Sequence, residues 1–239
     1  MKLTYIYHSC FVLETERCII LFDYYKDTKG KYGYVHDYVL NQPKPLYILS
    51  SHFHPDHFSR EIFQWKEQKK NIVYLLSHDI LKRKKAAEDE AIFLRKGDDY
   101  VDDCLSVRAF GSTDVGVSFE VECEGRKVFH AGDLNNWHWK DESTEREVKM
   151  AEGNYLHELK VLKAACPHLD LVMFPVDPRI GTDFARGAEQ FVDCIQADIF
   201  VPMHFWERPD EVRPFGEYAR CRGVRYVLLA TPGEEARFW

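Results

Sequence analysis

Short runs of β-branched and aromatic residues, apolar or alternating in character, dominate the first half of the chain. Three of them, at residues 3–7, 11–14 and 18–22, lie close together and are separated by a few polar residues. That spacing is typical of antiparallel strands, and residues 15–17 suit a hairpin connection between the second run and the third. The chain is therefore expected to open with a β-meander.

A longer polar stretch follows this meander. Residues 23–45 are rich in Gly, Tyr, Lys and Asp and lack periodicity, which predicts a long loop of the kind that often covers a functional site. Residues 45–50 form a predicted buried strand. It leads through residues 51–57 into a predicted helix at 58–70 with Ser59 as its N-cap. The apolar side of this helix consists of Ile62, Phe63 and Trp65.

The rest of the chain alternates strand and helix patterns. Further strands are predicted at 72–76, 91–94, 105–110, 115–123, 127–130, 171–174, 199–203 and 226–229, with turns at 97–99 and 124–125. Further helices are predicted at 78–87, 143–165, 183–196 and 209–222. Without a linker, repeat or low-complexity tract, residues 1–239 are interpreted as one domain, in which two mixed sheets face each other and helices pack outside.

Composition predicts a soluble cytoplasmic protein. Hydrophobic residues make up 45% of the chain, and no apolar run approaches the roughly 18 residues of a membrane span. The first residues alternate like a strand and lack the pattern of a signal peptide, so the mature chain is expected to begin near Met1. The 7 cysteines form no Cys-x-x-Cys pair and are interpreted as reduced and buried.

The charge balance argues against a nucleic-acid partner. Lys and Arg number 32 against 39 Asp and Glu, a formal net charge of -7 that repels polyanions. The basic run at residues 82–85 is followed by acidic residues at 88–90, which is more typical of a solvated helix with internal ion pairs.

The most informative segment is residues 51–57, which read Ser-His-Phe-His-Pro-Asp-His. Alternate residues of an extended chain point the same way, so His52, His54 and Asp56 project together. His57, at the turn into the helix, reaches a neighbouring point. Imidazole and carboxylate groups suit Zn²⁺, Fe or Mn²⁺, and the end of a strand is a common place for a site in α/β proteins. A metal centre is predicted here, against a purely structural histidine cluster.

This segment belongs to a set of motifs that resembles a known family. Residues 52–57 resemble the His-x-His-x-Asp-His signature of the metallo-β-lactamase-fold superfamily. Residues 8–14 and 20–23 are similar to the opening of its branch of UlaG-like metal-dependent hydrolases. Residues 129–133 match the later His-x-Gly-Asp block, and residues 201–204 match the terminal Ile-Pro-Met-His block. The motifs occur in the right order and cover nearly the whole chain.

The resemblance implies an α/β (α+β) fold, a four-layer αββα sandwich with its metals at the sheet edges. Asp133 would bridge two ions. Zn²⁺ is the expected cofactor, as one or two ions, with Mn²⁺ or Fe as alternatives. The ligands implied by the resemblance are His52 and His54 for the first ion, and Asp56, His57 and His204 for the second.

One residue that the family normally supplies is missing. A third histidine for the first ion is expected before the His-x-Gly-Asp block, but residues 110–116 contain none. Asp114 could replace it as an oxygen ligand, a water could complete the shell, or the first site could be weak or empty. His130, His138 and His157 are other candidates, although a lone histidine in a strand or helix is more often packed or solvated.

The expected chemistry follows from the metal. A bound dication lowers the pKa of coordinated water and polarises a carbonyl or phosphoryl oxygen, which favours hydrolysis. Asp56 and Asp133 are the candidate catalytic residues, and Asp56 could accept a proton from the water. The resemblance implies that Asp23 orients a ligand histidine, and that His8 lies near the cleft as a substrate contact or as a support to the ligands.

Two further features are candidates for the substrate pocket. Residues 135–139, Asn-Asn-Trp-His-Trp, directly follow Asp133 and suit either a stacking wall, with His138 as a contact, or packing under the next helix. Arg179 follows a predicted strand and could bind an anionic group, or form a surface ion pair.

The function predicted from these observations is metal-dependent hydrolysis of a small-molecule ester, lactone or phosphodiester. The alternatives are a non-enzymatic metal-binding protein, an iron-dependent dioxygenase or a nuclease of the same superfamily. The expected partner is a small-molecule substrate, with no nucleic acid and no membrane. The oligomeric state is left open, and a homo-oligomer is compatible with the sequence.

Overall fold

The computed structural model describes residues 1–29 and 33–239, and over these residues it contains fourteen strands and six α-helices. The strands are β1 (Lys2–Tyr7), β2 (Cys10–Glu14), β3 (Ile19–Phe22), β4 (Leu46–Ser50), β5 (Ile72–Ser77), β6 (Ile92–Leu94), β7 (Asp99–Val101), β8 (Leu105–Phe110), β9 (Ser118–Cys123), β10 (Arg126–His130), β11 (His168–Pro175), β12 (Gln196–Met203), β13 (Arg225–Tyr226) and β14 (Glu235–Arg237). The helices are α1 (Tyr34–Asp37), α2 (His78–Lys82), α3 (Glu145–Ala165), α4 (Arg186–Cys194), α5 (Pro209–Val212) and α6 (Phe215–Cys221).

The strands form two seven-stranded mixed sheets built on the same plan. The first has the order β14-β1-β2-β3-β4-β5-β6 and the second β13-β12-β11-β10-β9-β8-β7. In each sheet an antiparallel meander continues into parallel strands, from β3 to β6 in the first and from β10 to β13 in the second. The predicted architecture of two mixed sheets with helices is confirmed.

Both faces of the first sheet are covered at its centre, which explains why the inner strands β3 and β4 are apolar along nearly their whole length. Along β3, Ile20 and Phe22 belong to the cluster that includes residues of the second sheet, such as Phe119. Ile19 and Leu21 point to the opposite face and join a second cluster on the outer side of the sheet.

The segment 23–45, predicted to be an unstructured loop, builds much of this outer cluster. It carries α1 and a 3-10 turn at Val39–Asn41, and Val35 and Val39 are fully buried. Beyond Asp23, which contacts Ser51 and His57, the segment is therefore a packed outer layer, and its described residues do not line the cavity at the metal-binding groups. Residues 30–32 of the predicted loop lie outside the described residues.

The predicted helix at 58–70 is a 3-10 helix at Arg60–Glu67. Residues three apart eclipse one another in this geometry, so Ile62 and Trp65 lie in line and are both buried against the sheet. The Ser59 side chain accepts a hydrogen bond from the Glu61 backbone N–H, as its predicted capping role requires.

Four other predictions about the elements were wrong or incomplete. The helix predicted at 78–87 ends at Lys82. The helix predicted at 209–222 is divided into α5 and α6, because Pro214 lacks an N–H and its ring disrupts a continuous helix. The strand predicted at 226–229 is only Arg225–Tyr226. Strands β7 and β14 were missed, and β14 has no apolar pattern because it is a polar edge strand that pairs with β1.

The cysteines differ partly from expectation. All 7 are free thiols, but Cys221 is exposed and Cys104 and Cys194 are half-buried. No helix within residues 1–29 and 33–239 is long and apolar enough to cross a lipid bilayer.

Candidate metal centre

The polar side chains with metal-binding chemistry collect where strands of both sheets end. Parallel strands present their carboxyl ends at one edge, so residues that follow them are brought together. Asp23 and His204, which directly follow β3 and β12, have φ values of +46° and +63°, and His8 after β1 has +57°. Such left-handed conformations are uncommon for residues other than glycine and are typically retained at functional sites.

Eight side chains at this edge form two groups. In each group, the candidate ligand atoms lie within 4.8 Å of one another. The first, called the His8 group, contains His8, Asp56, His57 and His204. The second, called the His52 group, contains His52, His54, Asp114 and Asp133.

Asp133 lies between the two groups. Its Oδ1 atom is 3.2 Å from His57 Nε2 and 3.4 Å from His204 Nε2. Its Oδ2 atom is 3.4 Å from His52 Nε2. The carboxylate therefore faces both groups, in the bridging position that the resemblance implies for it.

Several buried atoms of these groups have no hydrogen-bond partner within the part of the chain that the structure describes. They are both ring nitrogens of His8, Nε2 of His52, Nε2 of His57 and Oδ1 of Asp133. An unpaired polar group in a protein interior is costly, and a cluster of them calls for an explanation. Imidazole nitrogens and carboxylate oxygens that face each other without partners fit a site for divalent cations.

The other ring nitrogen of three histidines in these groups is held by the protein. His57 Nδ1 is 2.7 Å from Asp23 Oδ2, and His204 Nδ1 is 2.8 Å from Asp177 Oδ2. His52 Nδ1 is 3.0 Å from the Ser51 hydroxyl. A carboxylate that accepts from Nδ1 fixes the tautomer in which Nε2 is free to bind a metal.

Asp23 connects two of these histidines. Its Oδ1 accepts a hydrogen bond from the Ser51 backbone N–H, and its Oδ2 accepts one from the Ser51 hydroxyl, each at 2.7 Å. Asp23 therefore orients His57 directly and His52 through Ser51. This contact agrees with the orienting role that the resemblance implies for Asp23.

Asp177 was missed by the sequence analysis, which selected only Arg179 from this segment. Asp177 is fully buried, follows β11 and holds His204 in place. The available signal was its position: it is an acidic residue just beyond the end of a buried strand, as is Asp133 after β10.

Burial sets the protonation of these groups. It lowers the pKa of His52 and of His57 well below the usual value, and together with the neighbouring His204 it lowers the pKa of His8 to about 4. Burial also raises the pKa of Asp133 to about 7. The imidazoles of His8, His52 and His57 are thus neutral near pH 7, which is the form that binds a metal.

Asp114 occupies the segment where a third histidine was expected. Its Oδ2 atom is 3.4 Å from His54 Nδ1, and both side chains are partly exposed. The loop is held close to the ligands because Gly116, at φ +78°, has no side chain. A Cβ at that position would collide with the Ser51 carbonyl oxygen and lie 2.6 Å from His52 Cβ.

The other candidate histidines lie outside both groups. His130 is near the site, but its Nε2 is 2.8 Å from the Ser9 carbonyl oxygen and its Nδ1 accepts from the Gly132 N–H. His157 is exposed on α3. His138 is buried with its ring nitrogens towards the backbone of Asp183 and Lys140, and it does not line the cavity at the metal centre. The substrate contact predicted for His138 is therefore corrected.

A cavity of about 340 Å³ opens onto the two groups. Trp137 and Trp139 line it, and Trp137 Nε1 donates a hydrogen bond to the Asp133 carbonyl oxygen at 2.8 Å. Arg179 lines it as well. Trp137 and Trp139, predicted as a stacking wall, and Arg179, predicted to bind an anion, thus line the same cavity as members of the two metal-binding groups.

Solved structures with a similar fold include several metalloenzymes. The chain superposes on Igni18, a metallo hydrolase from Ignicoccus hospitalis, with a TM-score of 0.71 and 18% identity, covering 100% of this chain and 99% of that one. It matches CmlA, a diiron β-hydroxylase from Streptomyces venezuelae, with a TM-score of 0.67 and 15% identity, covering 99% of this chain and 54% of that one. It matches an isothiocyanate hydrolase from Delia radicum gut bacteria with a TM-score of 0.62 and 13% identity, covering 100% and 99%.

These likenesses, all below 25% identity, are evidence of the fold alone. A comparison with curated proteins gave no match. The family model described as a beta-lactamase superfamily domain matches residues 2–204, which include every member of the two metal-binding groups. The chain therefore belongs to the beta-lactamase superfamily and has the metallo-β-lactamase fold.

Proposed function

We propose that this protein is a metal-dependent hydrolase of a small-molecule ester, lactone or phosphodiester, from the UlaG-like branch of its superfamily. The observation that carries the proposal is the set of buried ring nitrogens of His8, His52 and His57, which face carboxylates without hydrogen bonds to them. Zn²⁺ is the ion proposed first, with Mn²⁺ and Fe as alternatives.

In this proposal each group of side chains holds one cation. A divalent cation bound there lowers the pKa of a coordinated water to about 7 and polarises a carbonyl or phosphoryl oxygen. The His8 group offers three imidazoles and one carboxylate, whereas the His52 group offers two of each. Asp133, whose Oδ1 faces His57 and His204 and whose Oδ2 faces His52, would offer a carboxylate oxygen to the ion of each group.

Asp56 is the proposed proton acceptor. Its carboxylate lines the cavity and its side chain is 27% exposed, while its Oδ2 atom lies 3.4 Å from His8 Nε2. Burial alone would raise the pKa of Asp56, but interactions with His8 and His57 keep the pKa below its usual range. The ionised carboxylate can therefore accept a proton from an attacking water and release it to the leaving group.

An oxidative reaction is the second candidate. Two carboxylates and two imidazoles in the His52 group suit Fe or Mn²⁺ as well as Zn²⁺. A diiron β-hydroxylase also occurs among the solved structures with this fold. Hydrolysis is favoured because it needs only water beside the proposed ions and Asp56, whereas oxidation requires a further co-reactant.

The test combines metal analysis with turnover. The purified chain is stripped, reloaded with Zn²⁺, Mn²⁺ or anaerobic Fe²⁺, and assayed with p-nitrophenyl acetate, a simple lactone and bis-p-nitrophenyl phosphate. We expect up to two ions per chain and hydrolysis of at least one substrate, with losses of about 1,000-fold or more in His52→Ala and Asp133→Asn. Oxygen consumption without hydrolysis would favour the oxidative alternative.

His168→Ala is the matched control. His168 is an exposed histidine at the start of β11, paired with Asp198 at 2.9 Å, and thus lies at the other end of that strand from the metal centre. Its removal should leave metal content and rate unchanged. Binding of metal without turnover of any substrate under any loading would reject the hydrolase proposal.

A further inference from the structure

The cavity at the metal centre has an aromatic wall. The rings of Trp137 and Trp139 are nearly parallel, at 14°, with centroids 6.2 Å apart, and both side chains are partly exposed. Trp139 has a φ of +42°, which is unusual for such a bulky residue. Strained backbone of this kind persists where surrounding contacts enforce it, often at ligand-binding positions.

The same cavity contains a guanidinium group that is already fixed in place. Arg179 Nε and Nη2 donate to Asp177 Oδ2 at 3.0 and 2.6 Å, and Cζ lies 4.6 Å from the Trp206 ring. Its Nη1 has no hydrogen bond within residues 1–29 and 33–239, and the side chain is 44% exposed. Arg179 therefore retains donors for a ligand at little entropic cost.

One positively charged side chain lines the cavity. Asp56, Asp114 and Asp133 supply three negative charges there, and Arg179 supplies one positive charge. Two bound dications would make the sum of these lining charges positive, and counting the buried Asp23 and Asp177 behind the lining would bring the total to zero. The attraction for an anion is therefore local to Arg179, within a concave site that focuses the field of its charges.

We propose that the substrate is a planar aromatic compound with an anionic group, a carboxylate or a phosphate. This inference rests on the proposed function for the identity of the site. The ring stacks on the wall formed by Trp137 and Trp139, and the anionic group accepts hydrogen bonds from Arg179. A cavity of about 340 Å³ is at the small end of ligand pockets, which suits a single ring with short substituents.

Calorimetric titration of the metal-loaded protein tests this without turnover. The probes are benzoate and phenyl phosphate, compared with benzyl alcohol, which lacks the anion, and with acetate and methyl phosphate, which lack the ring. We expect at least one aromatic anion to bind about tenfold or more tightly than its partial analogues. A comparison of the affinities for benzoate and phenyl phosphate then shows whether the site prefers a carboxylate or a phosphate.

Variants separate the two contacts. Arg179→Gln should weaken the aromatic anion about tenfold or more and leave benzyl alcohol unchanged, while Trp139→Leu should weaken both aromatic probes and leave acetate unchanged. Arg208→Gln is the control, since Arg208 is a similarly exposed arginine paired with Glu211. Metal content is measured for every variant because Arg179 also contacts Asp177, which holds His204. Arg179→Lys is included because it keeps the positive charge beside Asp177.

Equal affinity for benzoate, phenyl phosphate and benzyl alcohol would overturn the inference. The inference would also be overturned if Arg179→Gln or Trp139→Leu, with its full metal content, bound the aromatic anions as tightly as the unmodified protein does. Because binding is measured directly, absence of hydrolysis would reject the proposed function while leaving this result standing, and hydrolysis without the predicted selectivity would do the reverse.

Discussion

Asp23 and His57 are 34 positions apart in the chain, yet Asp23 Oδ2 lies 2.7 Å from His57 Nδ1 in the buried interior of the site. Both side chains are almost completely inaccessible to water, so the contact is strong and directional. It leaves His57 Nε2 unprotonated and directed at Asp133. The orientation of His57 thus depends on a residue that directly follows the opening meander.

Replacing Asp23 with Asn should weaken metal binding by about 10- to 100-fold, because the amide cannot accept from both Ser51 and His57 as the carboxylate does. Competition with a chelator measures the change. Asp198→Asn is the control, since Asp198 also pairs with a histidine, His168, but on the exposed surface. An unchanged affinity in Asp23→Asn, in a folded protein, would contradict an orienting role.

His8 and His130 should respond in opposite ways to substitution by Phe. Both rings are fully buried, but neither nitrogen of His8 has a hydrogen-bond partner among the described residues, whereas both nitrogens of His130 do. His8→Phe should therefore lower the bound metal per chain with little loss of stability. His130→Phe should keep the metal and lower the free energy of unfolding by about 1–3 kcal/mol.

Elemental analysis and urea unfolding of the two variants distinguish these outcomes. If His8→Phe retained the metal content of the unmodified protein, His8 would be a packing residue beside the site and not one of its ligands.

The metal-free protein should lose stability as the pH falls below about 6.5. Burial lowers the folded-state pKa of His8, His52, His57 and His130, so the unfolded chain binds more protons than the folded one in this range. Asp133, whose pKa burial raises to about 7, acts in the opposite direction between about pH 7 and 4. Burial also raises the pKa of Asp79 and of Glu120, which oppose the trend in the same way at lower pH. The four buried imidazoles outnumber these three carboxyl groups, so acid is expected to destabilise the protein.

Urea unfolding of the chelator-treated protein at pH 7, 6 and 5 measures this dependence. The carboxylates Asp133 and Asp177 raise the pKa of His204 against the effect of burial, so His204 opposes the trend only above about pH 6.5. His52→Asn should flatten the slope. A free energy of unfolding that rises from pH 6 to pH 5 would contradict the inferred protonation states.

Gly116→Ala should destabilise the protein by at least about 2 kcal/mol more than Gly125→Ala. Both glycines have positive φ, +78° and +72°, so the conformational strain of adding a Cβ is matched. Only at Gly116 does the new atom meet neighbours, the Ser51 carbonyl and His52 Cβ. Urea unfolding and metal content check both variants, and equal effects would show that the loop can move away without cost.

The sequence by itself determined the parts of this protein that depend on local pattern. Strand and turn signals predicted the two mixed sheets, because a buried sheet requires apolar runs of short length between polar turns. The histidines and aspartates that follow predicted strands were selected because side chains beyond the ends of parallel strands share one edge. The ligands in 52–57, Asp133 and His204 are of this kind.

Only the tertiary structure decided which of these side chains meet. His8 joins Asp56 and His204, Asp114 joins His54, and Asp177 holds His204, all through contacts between segments far apart in the chain. The edge strand β14 and the 3-10 form of Arg60–Glu67 were likewise decided by packing against neighbours. The local sequence pattern determines whether a segment tends to form a helix or a strand. Which side chains meet, and how they are oriented, depends on packing between distant segments that no single segment encodes.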